Sequence, residues 1–175
     1  MNVLARFLFE RKLKSLKRKV QVSSFDTAET ALILFNADLE EDVKPVENFL
    51  RFLQSHNIEV MALGYYPRNN DKINLYENDD YLYFHRKDIN IRGAVSDHKI
   101  KRLMVKDFDL LFDFNRKNIF PLKYISGLSR AKFKVGKANA YQKEICDLTI
   151  QLKEDNLKEL ITQIKYYLPK FQQKQ

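Results

Sequence analysis

Glycine is scarce: Gly64, Gly93, Gly127 and Gly136 are the only four in 175 residues. None of them falls in a G-x-G-x-x-G or G-x-x-x-x-G-K-[ST] arrangement. Phosphate loops of those two kinds need glycines so that backbone N–H groups can approach the anion. A dinucleotide oxidoreductase or a P-loop NTPase is therefore not expected. Cysteine occurs once, at Cys146, so neither an intramolecular disulfide nor a multi-cysteine zinc site can form. This fits a reducing cytoplasm. Cys146 lies in an Ile-Cys-Asp-Leu-Thr-Ile stretch that reads as a strand, where a free thiol behaves as a small hydrophobe. The three histidines, His56, His85 and His98, show no H-x-x-x-H spacing, so no metal and no cofactor is expected. His56 falls near a helix C-terminus, where a cation is mildly favoured.

Long hydrophobic runs are also missing. None approaches the roughly 18 residues of a membrane span. The N-terminus does not read as a secretory signal, because Arg6 interrupts its apolar stretch and the positive charge follows it. His85-Arg86-Lys87-Asp88 is similar to a kinase catalytic loop, but a lysine interrupts the triplet and no Gly-rich loop accompanies it.

Enough apolar sequence is present to build a core, with 45% hydrophobic residues. Residues 2–20 read as a basic amphipathic helix. Phe9, Leu13, Leu16 and Val20 share one face, while Val3, Leu4, Phe7 and Leu8 form a second patch. Residues 31–35 and 58–65 read as strands around a helix that ends near His56, with Asn36 to Asp38 as its expected cap. Strand, helix and strand in succession imply a right-handed crossover and parallel pairing. A loop over 67–72, a strand over 81–84 and a weaker helix over 96–106 follow. Further strands are expected at 108–114, 133–135 and 146–152, with helices from Pro121 to about Ala131 and over 154–168. The expected fold is α/β: a three-layer Rossmann-like sandwich around a mostly parallel sheet of five or six strands. Residues 1–20 form a preceding basic helix and 21–175 a single domain.

The net charge of +8 is concentrated in two places. Residues 1–20 hold seven Lys/Arg and one Glu, and residues 115–137 hold seven Lys/Arg and no acid. Local basicity of this kind binds polyanions. In the first cluster, Arg11, Lys12, Lys14, Lys17, Arg18 and Lys19 are the candidates for RNA, a ribonucleoprotein or an acidic protein, with peripheral membrane contact a further alternative. In the second, Arg116, Lys117 and Lys137 follow the carboxyl ends of strands, where parallel sheets bind ligands. Asn36, Asp38, Asp113 and Asn115 lie at the same edge. A phosphate- or sugar-bearing ligand could be clamped there, with Asp113 as a general base or a ligand for a hydroxyl. The other reading makes Asp113 a turn-forming aspartate. The tyrosines and phenylalanines are not interleaved with the basic clusters and read as packing residues.

Asp109-Leu-Leu-Phe-Asp-Phe114, Pro121-Leu-Lys-Tyr-Ile and Leu128-Ser-Arg-Ala-Lys-Phe-Lys-Val-Gly136 resemble an uncharacterised family of short bacterial proteins. The same stretch is weakly similar to the N-terminal half of heptosyltransferase-like glycosyltransferases, which carry two Rossmann-like domains and a nucleotide-sugar site mainly in the second. A chain of this length has no room for that second domain. The resemblance thus implies the fold without implying catalysis. Two functions are expected in competition. The first is a non-catalytic cytoplasmic module that docks through its basic helix. The second is a small-molecule enzyme or sensor working at the strand ends.

Overall fold

The computed structural model describes residues 3–68, 79–90 and 93–171. Helix α1 (Val3–Ser15) leads into strand β1 (Thr30–Asn36), helix α2 (Glu40–Ser55) and strand β2 (Glu59–Tyr66). Then come β3 (Tyr81–His85), α3 (His98–Val105), β4 (Leu110–Asp113), α4 (Phe120–Leu128), β5 (Phe133–Lys137), α5 (Gln142–Ile145), β6 (Leu148–Ile150) and α6 (Leu157–Tyr167). The polar loop expected over 67–72 lies partly outside the described residues. Among the described residues, no helix is long and apolar enough to cross a membrane.

All six strands are parallel, in the order β3-β2-β1-β4-β5-β6. The order reverses between β1 and β4. Right-handed crossovers to the two sides of β1 place their helices on opposite faces. One face is covered by α2 and α6, and its core holds Phe35, Phe49, Phe112, Leu160 and Ile164. The other is covered by α1, α3, α4 and α5, around Phe9, Leu34, Ile100, Leu111 and Ile125. With both faces covered, central strands read as nearly continuous apolar runs, as Ala31-Leu-Ile-Leu-Phe35 does.

Helix α2 buries Val46, Phe49, Leu50 and Leu53, the i, i+3, i+4, i+7 stripe of a helix on a core. Glu40, Glu41 and Asp42 occupy its first turn, where the helix dipole favours acids. It ends where Asn57 turns into the left-handed region at φ 59°, a usual exit for a helix. The cap differs from expectation. Asn36 Oδ1 accepts the Asp38 N–H at 3.2 Å, and neither residue caps α2, whose N-cap is Leu39. By contrast, Asn156 caps α6 by accepting the Lys158 N–H at 2.8 Å, and Asp97 caps α3 through the Ile100 N–H at 3.0 Å.

The first helix is shorter than its periodicity predicts. It stops at Ser15, and residues 16–20 run on without helix. Tertiary contacts outweigh local propensity there. The Arg18 guanidinium reaches the Ala131 and Lys132 carbonyls and the Asp147 carboxylate, and the Gln21 N–H pairs with the Lys132 carbonyl. Val20, expected on the buried face, is exposed.

Helix α1 packs on its own domain. Ala5 and Phe9 are its buried residues. Phe9 meets Phe120 edge-on at 5.7 Å between ring centroids and lies 5.8 Å from Tyr124. Gly127 makes this seat possible: a Cβ there would come within 2.7 Å of the Phe9 ring. Residues without a Cβ allow this kind of close approach.

Candidate functional site

In open parallel sheets, ligands bind beyond the carboxyl ends of the strands where the order reverses. Here that place lies between the ends of β1 and β4. The topology does bring Asn36, Asp38, Asp113, Asn115, Arg116, Lys117 and Lys137 to one edge of the sheet. It brings most of them there as partners for groups within the chain.

Arg116 is the centre of that arrangement. Its side chain is 5% exposed. It donates to Asp42 at 2.7 Å and to the Asp155 carbonyl at 2.7 Å, and its Nη1 lies 3.3 Å from the Asp155 carboxylate. The residue thus ties the first turn of α2 to the loop before α6. Burial pushes the Asp42 carboxyl up, and the Arg116 guanidinium pulls it back only in part. Lys137 holds Asp155 at 2.8 Å, Lys117 lies 3.9 Å from it, and Asp38 pairs with Arg68 at 2.9 Å. An open cavity of about 390 Å³ adjoins Arg116, Asp155 and the first turns of α2 and α6. Its buried cation, Arg116, already faces Glu41, Asp42 and Asp155, and Lys44 on its rim pairs with Glu47.

Asp113 lies deeper. It is fully buried and accepts the Asn115 N–H at 3.0 Å and the Tyr141 hydroxyl at 3.1 Å. The Gln142 side-chain amide donates to its backbone carbonyl at 2.7 Å. Asn115 closes the turn by exchanging hydrogen bonds with the Ile119 backbone. Burial pushes the Asp113 carboxyl up to about 6 against those hydrogen bonds. The same burial, with the Asp113 charge beside it, pushes the Tyr141 hydroxyl up. Cys146 is partly buried at the end of α5, ahead of β6, and its thiol is pushed well above its ordinary value by burial. That works against a thiolate nucleophile.

The second basic cluster does not form a basic surface. Arg130 pairs with Asp107 at 3.0 Å and Lys132 with Asp109 at 2.7 Å. Lys134 is 1% exposed and donates to the Ser126 and Gly127 carbonyls at the end of α4. There it acts as an internal cation on a helix C-terminus. Burial pushes its ammonium down to about 8.

The first cluster divides differently. Arg18 is bound to Asp147 at 2.5 Å, and Lys12 reaches the Tyr124 hydroxyl at 3.1 Å. Arg11, Lys14, Lys17 and Lys19 are exposed and enter no ion pair among the described residues. Helical spacing sets Val3, Phe7, Arg11 and Lys14 on the side of α1 opposite Phe9. Val3 and Phe7 are 83% and 60% exposed, with Leu4 beside them. The outward stripe of α1 thus runs from an apolar end to a basic end. On the same face of the sheet, α3 exposes Lys99, Lys101 and Arg102, also without ion pairs among the described residues. Helix α2, on the opposite face, carries more acids than cations.

Sequence reasoning missed Asp42 and Asp155, which neutralise Arg116, and Tyr141 and Gln142, which enclose Asp113. Tyr141 and Gln142 sit at the start of α5, a four-residue helix too short for periodicity to reveal. A signal for Lys134 existed. Phe133 and Val135 alternate with it on a central parallel strand, and both faces of such a strand are buried. His85-Arg-Lys-Asp88 is a single 3-10 turn closed by the His85 N–H on the Asp88 carboxylate at 2.7 Å.

A model of the family described as "Family of unknown function (DUF6913)" matches residues 3–171. No curated protein matches the chain.

Proposed function

We propose that this chain, which belongs to the family of unknown function DUF6913, is a non-catalytic module that docks onto an acidic protein through the outward stripe of α1. One observation carries the reading: Arg11 and Lys14 on α1, with Lys17 and Lys19 just after it, stand exposed and without ion pairs among the described residues, on a stripe that begins with exposed Val3, Leu4 and Phe7. An apolar end on a cationic helix suits a groove with an acidic rim, read by residues at i, i+4 and i+8. A phosphate backbone needs the cations alone. Helix α3 extends the positive field on the same face and favours encounter with a negative partner.

Charge reversal tests this better than deletion, because removing α1 would uncover the seat of Phe9. The tagged full chain and an Arg11→Glu/Lys14→Glu/Lys17→Glu variant are used to capture partners at low salt, with and without nuclease. The captured protein is then purified and rebound. Expected is an acidic protein bound directly by the full chain after nuclease treatment, lost in the variant and weakened by salt. Capture of RNA alone, or equal binding by the variant, overturns the proposal.

A further inference from the structure

A second cavity, of about 490 Å³, opens where α1 crosses the loop after β4 and the start of α5. This volume falls within the usual range for small-molecule sites. Its apolar side is formed by Phe9, Leu13 and Tyr141, and its polar side by Lys14, Asn118 and Lys123. Phe9 and Tyr141 are buried anchors of the core, so that wall is preformed. Asn118 holds a left-handed backbone at φ 52°, a conformation that asparagine tolerates better than most residues.

The charges set the ligand class. Arg6 and Glu10 neutralise one another at 2.7 Å. The Lys123 ammonium lies 5.7 Å from the centre of the Phe9 ring and 5.3 Å from that of Tyr141. It makes no ion pair and no hydrogen bond among the described residues. Two aromatic faces offset its charge only slightly. Lys14, on the rim, also makes no ion pair among the described residues. Glu144 is the one acid not engaged by Arg6 in an ion pair, and it stands against a highly charged ligand such as a polyphosphate. We propose that this cavity binds a small organic anion, with one carboxylate or phosphate group against Lys123 and Lys14 and an apolar body on Phe9, Leu13 and Tyr141. The cavity shares Lys14 with the docking surface, which otherwise uses the opposite side of α1; Lys123→Met and Ala140→Trp touch the cavity alone.

The test is an NMR titration of the isotope-labelled full chain with phenyl phosphate, benzoate, inorganic phosphate and benzyl alcohol. Benzoate or phenyl phosphate is expected to shift the amides of Leu13, Lys14, Asn118, Lys123 and Ala140 to saturation. Inorganic phosphate and benzyl alcohol, each lacking half of the ligand, should bind at least tenfold more weakly. Lys123→Met keeps the stem over the two rings and should weaken binding at least tenfold. Ala140→Trp, on the exposed lip, should block the cavity while the spectrum stays folded. The proposal is overturned by the absence of saturable shifts with both aromatic anions, by shifts centred elsewhere, by equal affinity for inorganic phosphate, or by unchanged binding in Lys123→Met.

Discussion

Asp113 invites a quantitative test, because a fully buried carboxylate at the tip of β4 works against folding once it ionises. Its carboxyl is pushed from 3.8 to about 6 by burial. The sign follows from linkage. A group whose pKa is raised on folding stabilises the native state fully below the unfolded value, and that stabilisation is lost as pH rises through the folded value. A displacement of about two units corresponds to about 3 kcal/mol. Asp113→Asn keeps an oxygen to accept the Asn115 N–H and the Tyr141 hydroxyl but removes the charge. Urea unfolding of both proteins at intervals from pH 4 to pH 8 gives the difference in stability, in which the other titrations cancel. The stability of the variant relative to the native chain should climb by about 2 kcal/mol between pH 4 and pH 7, the rest of the change falling below pH 4. A difference that stays flat across this range would refute the account of Asp113 as a desolvated carboxylate.

Three other outcomes are expected. Gly127→Val places side-chain atoms where the Phe9 ring sits, only 2.7 Å from the new Cβ; hydrogen exchange should show α1 losing protection while β1 and β4 keep theirs. Arg116→Met leaves Asp42 buried without its partner and should cost about 3–5 kcal/mol in denaturant unfolding, and adding Asp42→Leu should recover part of that loss. Lys134 is pushed down to about 8, so its charged form opposes folding below that value. Native stability should therefore gain from this group as pH rises from 8 toward 10.5, and Lys134→Met, compared by the same unfolding assay, should lack the gain.

The elements that were legible in the sequence are those whose hydrophobic pattern repeats within a short window. The run of residues 31–35 announces a strand buried on both faces, and the spacing of Leu157, Leu160, Ile161 and Ile164 announces α6. What failed depends on distant residues. Residues 16–20 continue a helical pattern, yet Arg18 finds Asp147 and the carbonyls beside β5, and that bonding ends the helix at Ser15. Asn36 has the chemistry of a cap, yet its side chain is taken by Asp38 before α2 begins.

The candidate site shows the same limit in its charges. Two stretches with seven cations each read alike as basic clusters and diverge in the folded chain. The acids that neutralise residues 115–137 come from elsewhere: Asp42 from α2, Asp107 and Asp109 from the approach to β4, and Asp155 from the approach to α6. Charge in a sequence window therefore becomes a surface field only where the fold supplies no counter-charge. Few acids reach the outward side of α1. Glu10 is taken by Arg6 at 2.7 Å, and Asp147 by Arg18. Among the described residues, exposed Arg11, Lys14, Lys17 and Lys19 then meet no acid in an ion pair, so the basicity of this stretch, unlike that of residues 115–137, stays at the surface.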